Sequence, residues 1–129
     1  MAKVTGIGGV FVRARDPKAL SAWYRDHLGI DVQDWGGAQF FFSQDRPDGY
    51  AVWNPFPHDT KYFDPSDKPF MLNLRVDDLD GLLDRLRAAG ANVLDRGADE
   101  GYGKFGYVVD PEGTLIELFE PSADEPAAS

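Results

Sequence analysis

The side chains that most often ligate metals or act as nucleophiles are scarce in this chain of 129 residues. There is no cysteine, and the only histidines are His27 and His58. The missing cysteines exclude a disulfide scaffold, a Cys-type zinc site, an iron–sulfur cluster and a cysteine nucleophile. His27 falls near the end of a predicted helix, where a surface histidine is favourably placed. His58 falls in a proline-rich loop, so a solvent-exposed position is favoured over a place in a site.

Other chemistry-bearing motifs are also missing. No phosphate-binding loop, dinucleotide-binding glycine motif or nucleophile elbow occurs. The excess of 22 acidic over 13 basic residues gives a net charge of −9, which disfavours nucleic-acid binding. No apolar run approaches 18 residues and no signal peptide is recognisable, so we expect a cytoplasmic protein that binds no membrane. The length predicts one globular domain.

The elements that must position any site follow a recurring order. Asp16-Pro17 predicts a helix start, because Asp caps free amides and Pro suits the first helical position, and Gly29 predicts its end. Asp78 and Gly90 bound a second helix in the same way. Strand-like runs precede and follow each helix. They cover residues 7–12, 30–35, 40–43 and 50–53 in the first half, and 70–76, 92–94, 105–109 and 115–119 in the second.

The two halves therefore predict an internal duplication of a βαβββ module. Helix caps and turn sequences recur at matching places, with Pro47-Asp48-Gly49 in one half and Pro111-Glu112-Gly113 in the other. We expect a single domain over residues 1–121. Its parts are module one at about 4–56, an aromatic, proline-rich linker at 54–69 and module two at about 70–121, followed by a disordered acidic tail at 122–129.

Two segments resemble family signatures. Residues 16–29, with Trp23-Tyr24 and Leu28-Gly29, resemble the first-helix signature of the glyoxalase/bleomycin resistance/dioxygenase (vicinal oxygen chelate) superfamily. Residues 110–118, Asp-Pro-Glu-Gly-Thr-Leu-Ile-Glu-Leu, resemble its C-terminal signature. The resemblance implies an α+β fold in which two tandem βαβββ modules form an open, partly closed barrel around a ligand cavity. It also implies a homodimer.

Metal-dependent members of this superfamily hold a divalent ion on three strand positions. The resemblance places these positions at Gly9, Met71 and Glu117. Glycine has no side-chain donor and a thioether is a weak ligand for hard divalent ions. We therefore expect no metal and no other cofactor, although an enzyme of this family would use a divalent metal.

Glu117 then needs another role. In an apolar barrel it is a candidate catalytic acid or base, or it is a relic paired with an arginine. Arg13 and Arg75 occupy matching positions of the duplication and either face the cavity or reach solvent. The residues predicted to bind a ligand are Phe11, Arg13, Phe40, Phe42, Trp53, Met71, Asn73, Arg75, Tyr107 and Phe119.

Two functions remain open from the sequence. The first is a glyoxalase-like protein that binds a small apolar or aromatic molecule in a metal-free cleft. The alternative is a metal-dependent lyase, isomerase or dioxygenase that uses Glu117. The sequence does not decide whether the chain is an enzyme, nor whether His58 or the linker completes a site across a dimer.

Overall fold

The computed structural model describes residues 2–123. Its two helices are α1 (Pro17–Leu28) and α2 (Leu79–Ala88), and its four strands are β1 (Leu72–Arg75), β2 (Asn92–Glu100), β3 (Gly103–Val109) and β4 (Leu115–Pro121). A single 3₁₀ turn, Phe42–Gln44, lies between α1 and β1. The predicted α+β class is confirmed, and the order β1-α2-β2-β3-β4 is that of one βαβββ module.

Both helices begin and end where the local sequence predicts. The side chain of Asp16 accepts a hydrogen bond from the Ala19 amide at 3.1 Å, and Asp78 does the same for Gly81 at 3.1 Å. Each bond satisfies an amide that has no partner within its helix. Gly29 closes α1 with a φ of 71°, a left-handed conformation in which glycine carries no steric penalty.

The strands form one open sheet in the order β1-β4-β3-β2. β2 pairs with β3 and β3 with β4 in antiparallel fashion, whereas β4 returns to pair with β1 in parallel. The ladder between β2 and β3 is irregular between Val93 and Gly97. Such a bulge redirects side chains locally, which matters for the site described below.

The core lies between α2 and one face of this sheet. Leu79, Leu82 and Leu86 of α2 are buried in one cluster with Val108, Ile116 and Leu118 of the sheet. α1 adds half-buried Trp23, Tyr24 and Leu28 to this cluster. The apolar face of each helix and the alternating apolar positions of the strands therefore meet as the sequence pattern predicts.

The four strands predicted for module one are wrong. Among the described residues, none before β1 belongs to a strand, and positions 42–43 fall in the 3₁₀ turn. A β-strand is completed only by hydrogen bonds from a neighbouring strand, and the described part of the chain places no such neighbour beside these segments. As a result, the sheet formed by residues 2–123 is not closed into a barrel, and Phe11, Phe42 and Trp53 are 96%, 91% and 80% exposed.

Two other expectations concern the acidic tail and the membrane. Only residues 122 and 123 of the predicted acidic tail are described, and residues 124–129 lie outside. No helix within residues 2–123 has the length and apolar character needed to span a membrane.

Candidate functional site

Strand β4 presents one acidic side chain on the face opposite the core. Ile116 and Leu118 pack in the cluster under α2, so alternation directs Glu117 to the other face of the sheet. Glu117 is nevertheless only 5% exposed. A buried carboxylate is tolerated only when its oxygens accept hydrogen bonds, and its partners therefore define the site.

Three side chains donate to the Glu117 carboxylate. The Tyr107 hydroxyl donates to Oε2 at 2.5 Å, and the Tyr62 hydroxyl donates to the same oxygen. The Asn73 amide donates to Oε1 at 2.7 Å. Asn73 and Tyr107 are the direct cross-strand partners of Glu117 on β1 and β3, so the sheet register itself brings them together.

Tyr62 reaches this group from the linker. Its phenol oxygen lies 2.8 Å from that of Tyr107. On the other side, its ring stacks on Phe56 with centroids 5.3 Å apart, and Phe63 packs against both rings. The aromatic content of the linker is thus used to hold Tyr62 over the sheet.

Arg96 completes the group from the irregular part of β2. Its guanidinium lies 3.9 Å from the Tyr107 ring centroid and 5.0 Å from that of Tyr62, which is cation–π geometry. It also donates to the backbone carbonyls of Tyr62, at 3.1 Å, and Asp64, at 3.4 Å. Arg96 therefore fastens the linker to the sheet and places a positive charge beside the two phenols.

The two phenols keep their protons at neutral pH. Burial is the main cause that raises the pKa of Tyr107, and its hydrogen bond to Glu117 raises it further. The same two causes, in the same order, raise the pKa of Tyr62 well above its ordinary value. Both hydroxyls are therefore donors to the carboxylate, and the site works as an ordered hydrogen-bond network.

These groups do not suit a divalent metal. Two phenol hydroxyls and an amide N–H direct hydrogens at the Glu117 oxygens, and the nearby guanidinium is itself a cation. Within residues 2–123, no group of three or more His, Cys, Asp or Glu side chains has a geometry that could hold a metal. Gly9 and Met71 contribute no oxygen or nitrogen side-chain donor.

The family follows from a match over most of the chain. A model of the glyoxalase-like domain matches residues 9–119. The chain belongs to the glyoxalase-like domain family. No protein of curated function matches its sequence.

Solved structures agree with the fold of this glyoxalase-like domain. A V. cholerae integron cassette protein is 15% identical, with a TM-score of 0.59 over 95% of this chain and 99% of the other. An antibiotic-binding protein from a Streptomyces species is 21% identical, with a TM-score of 0.58 over 95% and 100%. A glyoxalase/bleomycin resistance protein/dioxygenase domain from a Frankia species is 16% identical, with a TM-score of 0.57 over 95% and 96%.

Other matches are partial. The chain covers 47% of a conserved domain protein and 51% of a fosfomycin resistance protein from Listeria monocytogenes. The TM-scores of these two matches are 0.38 and 0.39.

Eight of the ten predicted ligand-binding residues separate into three groups in the glyoxalase-like domain. Asn73 and Tyr107 contact Glu117, and Phe119 stacks on Phe105 further along the same face of the sheet, with centroids 4.8 Å apart. Met71 is half-buried just before β1. The aromatic residues from the first half are exposed: Phe11, Phe40, Phe42 and Trp53.

Neither predicted arginine pairs with Glu117. Arg75 forms an ion pair with Asp45 and donates to the Tyr50 carbonyl at 2.7 Å, so it ties the chain before the linker to β1. Arg13 lines a separate cavity near the start of α1. His27 stacks on Trp23 within α1, with its Nδ1 3.1 Å from the Trp23 carbonyl oxygen, and His58 is exposed.

Two residues of the site were missed from the sequence. Tyr62 lies in the linker whose aromatic content signalled a functional loop, but nothing in the sequence indicated which ring would reach Glu117. Arg96 lies in the strand segment where the ladder is irregular, close to Gly97. A glycine within a strand can signal a bulge, and this was the only local sign that a nearby side chain would be redirected.

Proposed function

We propose that this glyoxalase-like domain binds a small, flat aromatic molecule without a metal, at the face where the linker meets the sheet. The observation that carries the proposal is the state of Glu117, which is buried and already accepts hydrogen bonds from Tyr62, Tyr107 and Asn73. A carboxylate held in this way is an ordered acceptor, which suits recognition better than proton abstraction.

The two carboxylate oxygens differ in the room they leave for a ligand. Oε2 is closed off by the two phenols, whereas Oε1 accepts a hydrogen bond from Asn73, a residue exposed on its strand. A carboxylate oxygen has two lone pairs, so Oε1 can accept a further N–H or O–H from a ligand. Phe56, which stacks on Tyr62 and is 37% exposed, and the half-buried guanidinium of Arg96 are the surfaces on which a flat molecule would stack.

The relatives support binding as a class of function. One structural neighbour is described as an antibiotic-binding protein. The match covers the whole of that chain, with a TM-score of 0.58. At 21% identity this likeness supports a shared fold. That this chain also binds a small molecule is our proposal.

The test is a screen of planar aromatic compounds by quenching of tryptophan fluorescence, followed by calorimetric titration of each hit. We expect saturable 1:1 binding that is lost in Arg96→Ala and Tyr62→Ala. The matched control is Arg87→Ala, because Arg87 is an exposed residue of α2 whose ion-pair partner is Asp84. Equal loss in the control, or no saturable binding, overturns the proposal.

Metal titration tests the part of the proposal that excludes a metal from the cleft. Nickel, zinc, manganese and iron are each titrated into chelator-free protein and into Glu117→Gln. Stoichiometric tight binding that Glu117→Gln abolishes would refute the metal-free cleft and favour the metal-dependent enzyme. A catalytic role for Glu117 is refuted if Glu117→Gln keeps both ligand affinity and any turnover.

We also propose that the protein acts as a homodimer. Phe11, Phe42 and Trp53 are 96%, 91% and 80% exposed, and burying these apolar side chains against a second copy would be favourable. The strand-type segments of the first half have no partner strand within the described chain, so a second copy is a natural source of one. Light scattering should give twice the chain mass of 14.3 kDa. A monomer at every concentration refutes this.

A further inference from the structure

A second candidate site lies away from Glu117. A surface cavity of about 360 Å³ is formed where the segment before α1, the end of the linker and the turn between β3 and β4 come together. Its lining residues are Arg13, Ala14, Arg15, Asp67, Lys68 and Glu112. Three of the six are cationic, in a chain whose net charge is −9.

Hydrogen bonds hold the walls of this cavity in place. Glu112 Oε2 accepts the backbone N–H groups of Arg15, at 3.1 Å, and Asp16, at 3.2 Å. The Glu112 amide in turn donates to Asp110 Oδ1 at 2.8 Å, and Asp110 Oδ2 accepts the Tyr24 hydroxyl at 2.6 Å. The turn is thus tied twice to the region of α1, so the cavity is built on an ordered part of the chain.

The linker wall is also held. The Lys68 amide donates to the Ser66 hydroxyl at 3.2 Å, which fixes the backbone that carries the lysine. Fixing a backbone before a ligand arrives reduces the entropy lost on binding.

The cationic side chains of the cavity have hydrogen-bond donors that no described acidic side chain uses. Within residues 2–123, Arg13, Arg15 and Lys68 form no ion pair with an acidic side chain at 4.0 Å or less. Two backbone N–H groups are the main cause that lowers the pKa of Glu112, and the nearby charges of Lys68 and Arg15 lower it further. The Glu112 carboxylate is already bound to the backbone amides of Arg15 and Asp16, and the guanidinium and ammonium donors are left for another acceptor.

We propose that this cavity binds the oxyanion group, carboxylate or phosphate, of a small anionic molecule, with Arg13 and Lys68 as its principal donors. A planar guanidinium can hold two oxygens of such a group at once, and a lysine adds a compact charge. Asp67 and Glu112 on the same walls oppose a highly charged ligand and favour one with a single anionic group. This site is independent of the aromatic site at Glu117.

The test is an NMR titration of the full chain with inorganic phosphate and, separately, with acetate, at constant ionic strength. We expect saturable shifts of the Arg15, Asp16 and Lys68 amides. Saturation by phosphate alone, acetate alone or both supports an oxyanion site and tells the two ligand classes apart. Shifts that grow linearly without saturation overturn the proposal.

Variants separate a site from general electrostatics. Arg13→Gln and Lys68→Gln should each weaken binding by about tenfold, the size expected for loss of one charge-assisted hydrogen bond. The matched controls are Lys18→Gln and Lys61→Gln, which remove the same charge from exposed positions outside the cavity lining. Equal weakening in the controls overturns the proposal. Unchanged urea midpoints show that the variants remain folded.

Discussion

Removal of the Tyr107 hydroxyl is the most direct perturbation of the network around Glu117. Tyr107→Phe keeps the ring, which is 5% exposed, together with its packing and its contact with Arg96. It removes the 2.5 Å hydrogen bond to Oε2 of Glu117. The carboxylate is buried to the same extent, so water replaces the lost donor only poorly.

The expected cost follows from the type of bond. Hydrogen bonds to charged groups contribute about 1.5–3 kcal/mol to stability. Glu117 retains Tyr62 and Asn73 as donors, so we place the loss at the lower end, about 1.5–2 kcal/mol. With a urea m-value of about 1–3 kcal/mol/M for a small protein, the unfolding midpoint should fall by about 1 M.

Urea denaturation followed by tryptophan fluorescence measures this loss. The matched control is Tyr102→Phe, which deletes the same atom from a side chain that is 51% exposed and should change stability by less than about 0.5 kcal/mol. Equal midpoints for the two variants would refute the reasoning. A double-mutant cycle with Glu117→Gln should return a coupling energy of about 1–2 kcal/mol between Tyr107 and Glu117.

Three further outcomes follow from other parts of the structure. The pKa values of Tyr24, Tyr62 and Tyr107 are raised in the folded chain. The unfolded chain loses these protons near pH 10 while the folded chain keeps them, so stability should fall as pH rises above about 10, and urea midpoints that do not change with pH would contradict this. Gly103→Ala should cost about 1–3 kcal/mol in urea denaturation, because the added Cβ would lie 2.6 Å from the Glu120 carbonyl oxygen, whereas Gly101→Ala, with open space around it, should be nearly neutral. Leu86→Ala should cost about 2–5 kcal/mol by the same measurement, since Leu86 is fully buried under the sheet, and a smaller loss would show that the core collapses around the gap.

The helices were predictable because their signals are local. Asp16 and Asp78 cap amides three residues away, and Gly29 ends its helix by its own conformation. Interactions of this range depend only on neighbouring residues, so a pattern in the sequence is enough to indicate them. The strands of the second half were predictable because apolar residues alternate along them, and those on one face pack against α2.

The first-half strands show where such patterns fail. Residues 10–12, Val-Phe-Val, are of types that favour β-strands, as are the residues of β1. Of these two segments, β1 pairs with a neighbouring strand, β4, and the other does not pair with any described strand. A strand exists through hydrogen bonds to another segment, and the residues within it do not specify that the segment will be adjacent.

The candidate site shows the same difference between local sequence signals and long-range contacts. The sequence by itself determined the fold class, the helix limits, the family resemblance and the position of Glu117 on the last strand. Only the tertiary structure decided what surrounds that carboxylate. Tyr62 lies 55 positions from Glu117 and Asn73 lies 44, so their approach depends on strand register and on the path of the linker. Arg75, which the duplication suggested as a partner of Glu117, forms an ion pair with Asp45 instead, a residue 30 positions away in the chain.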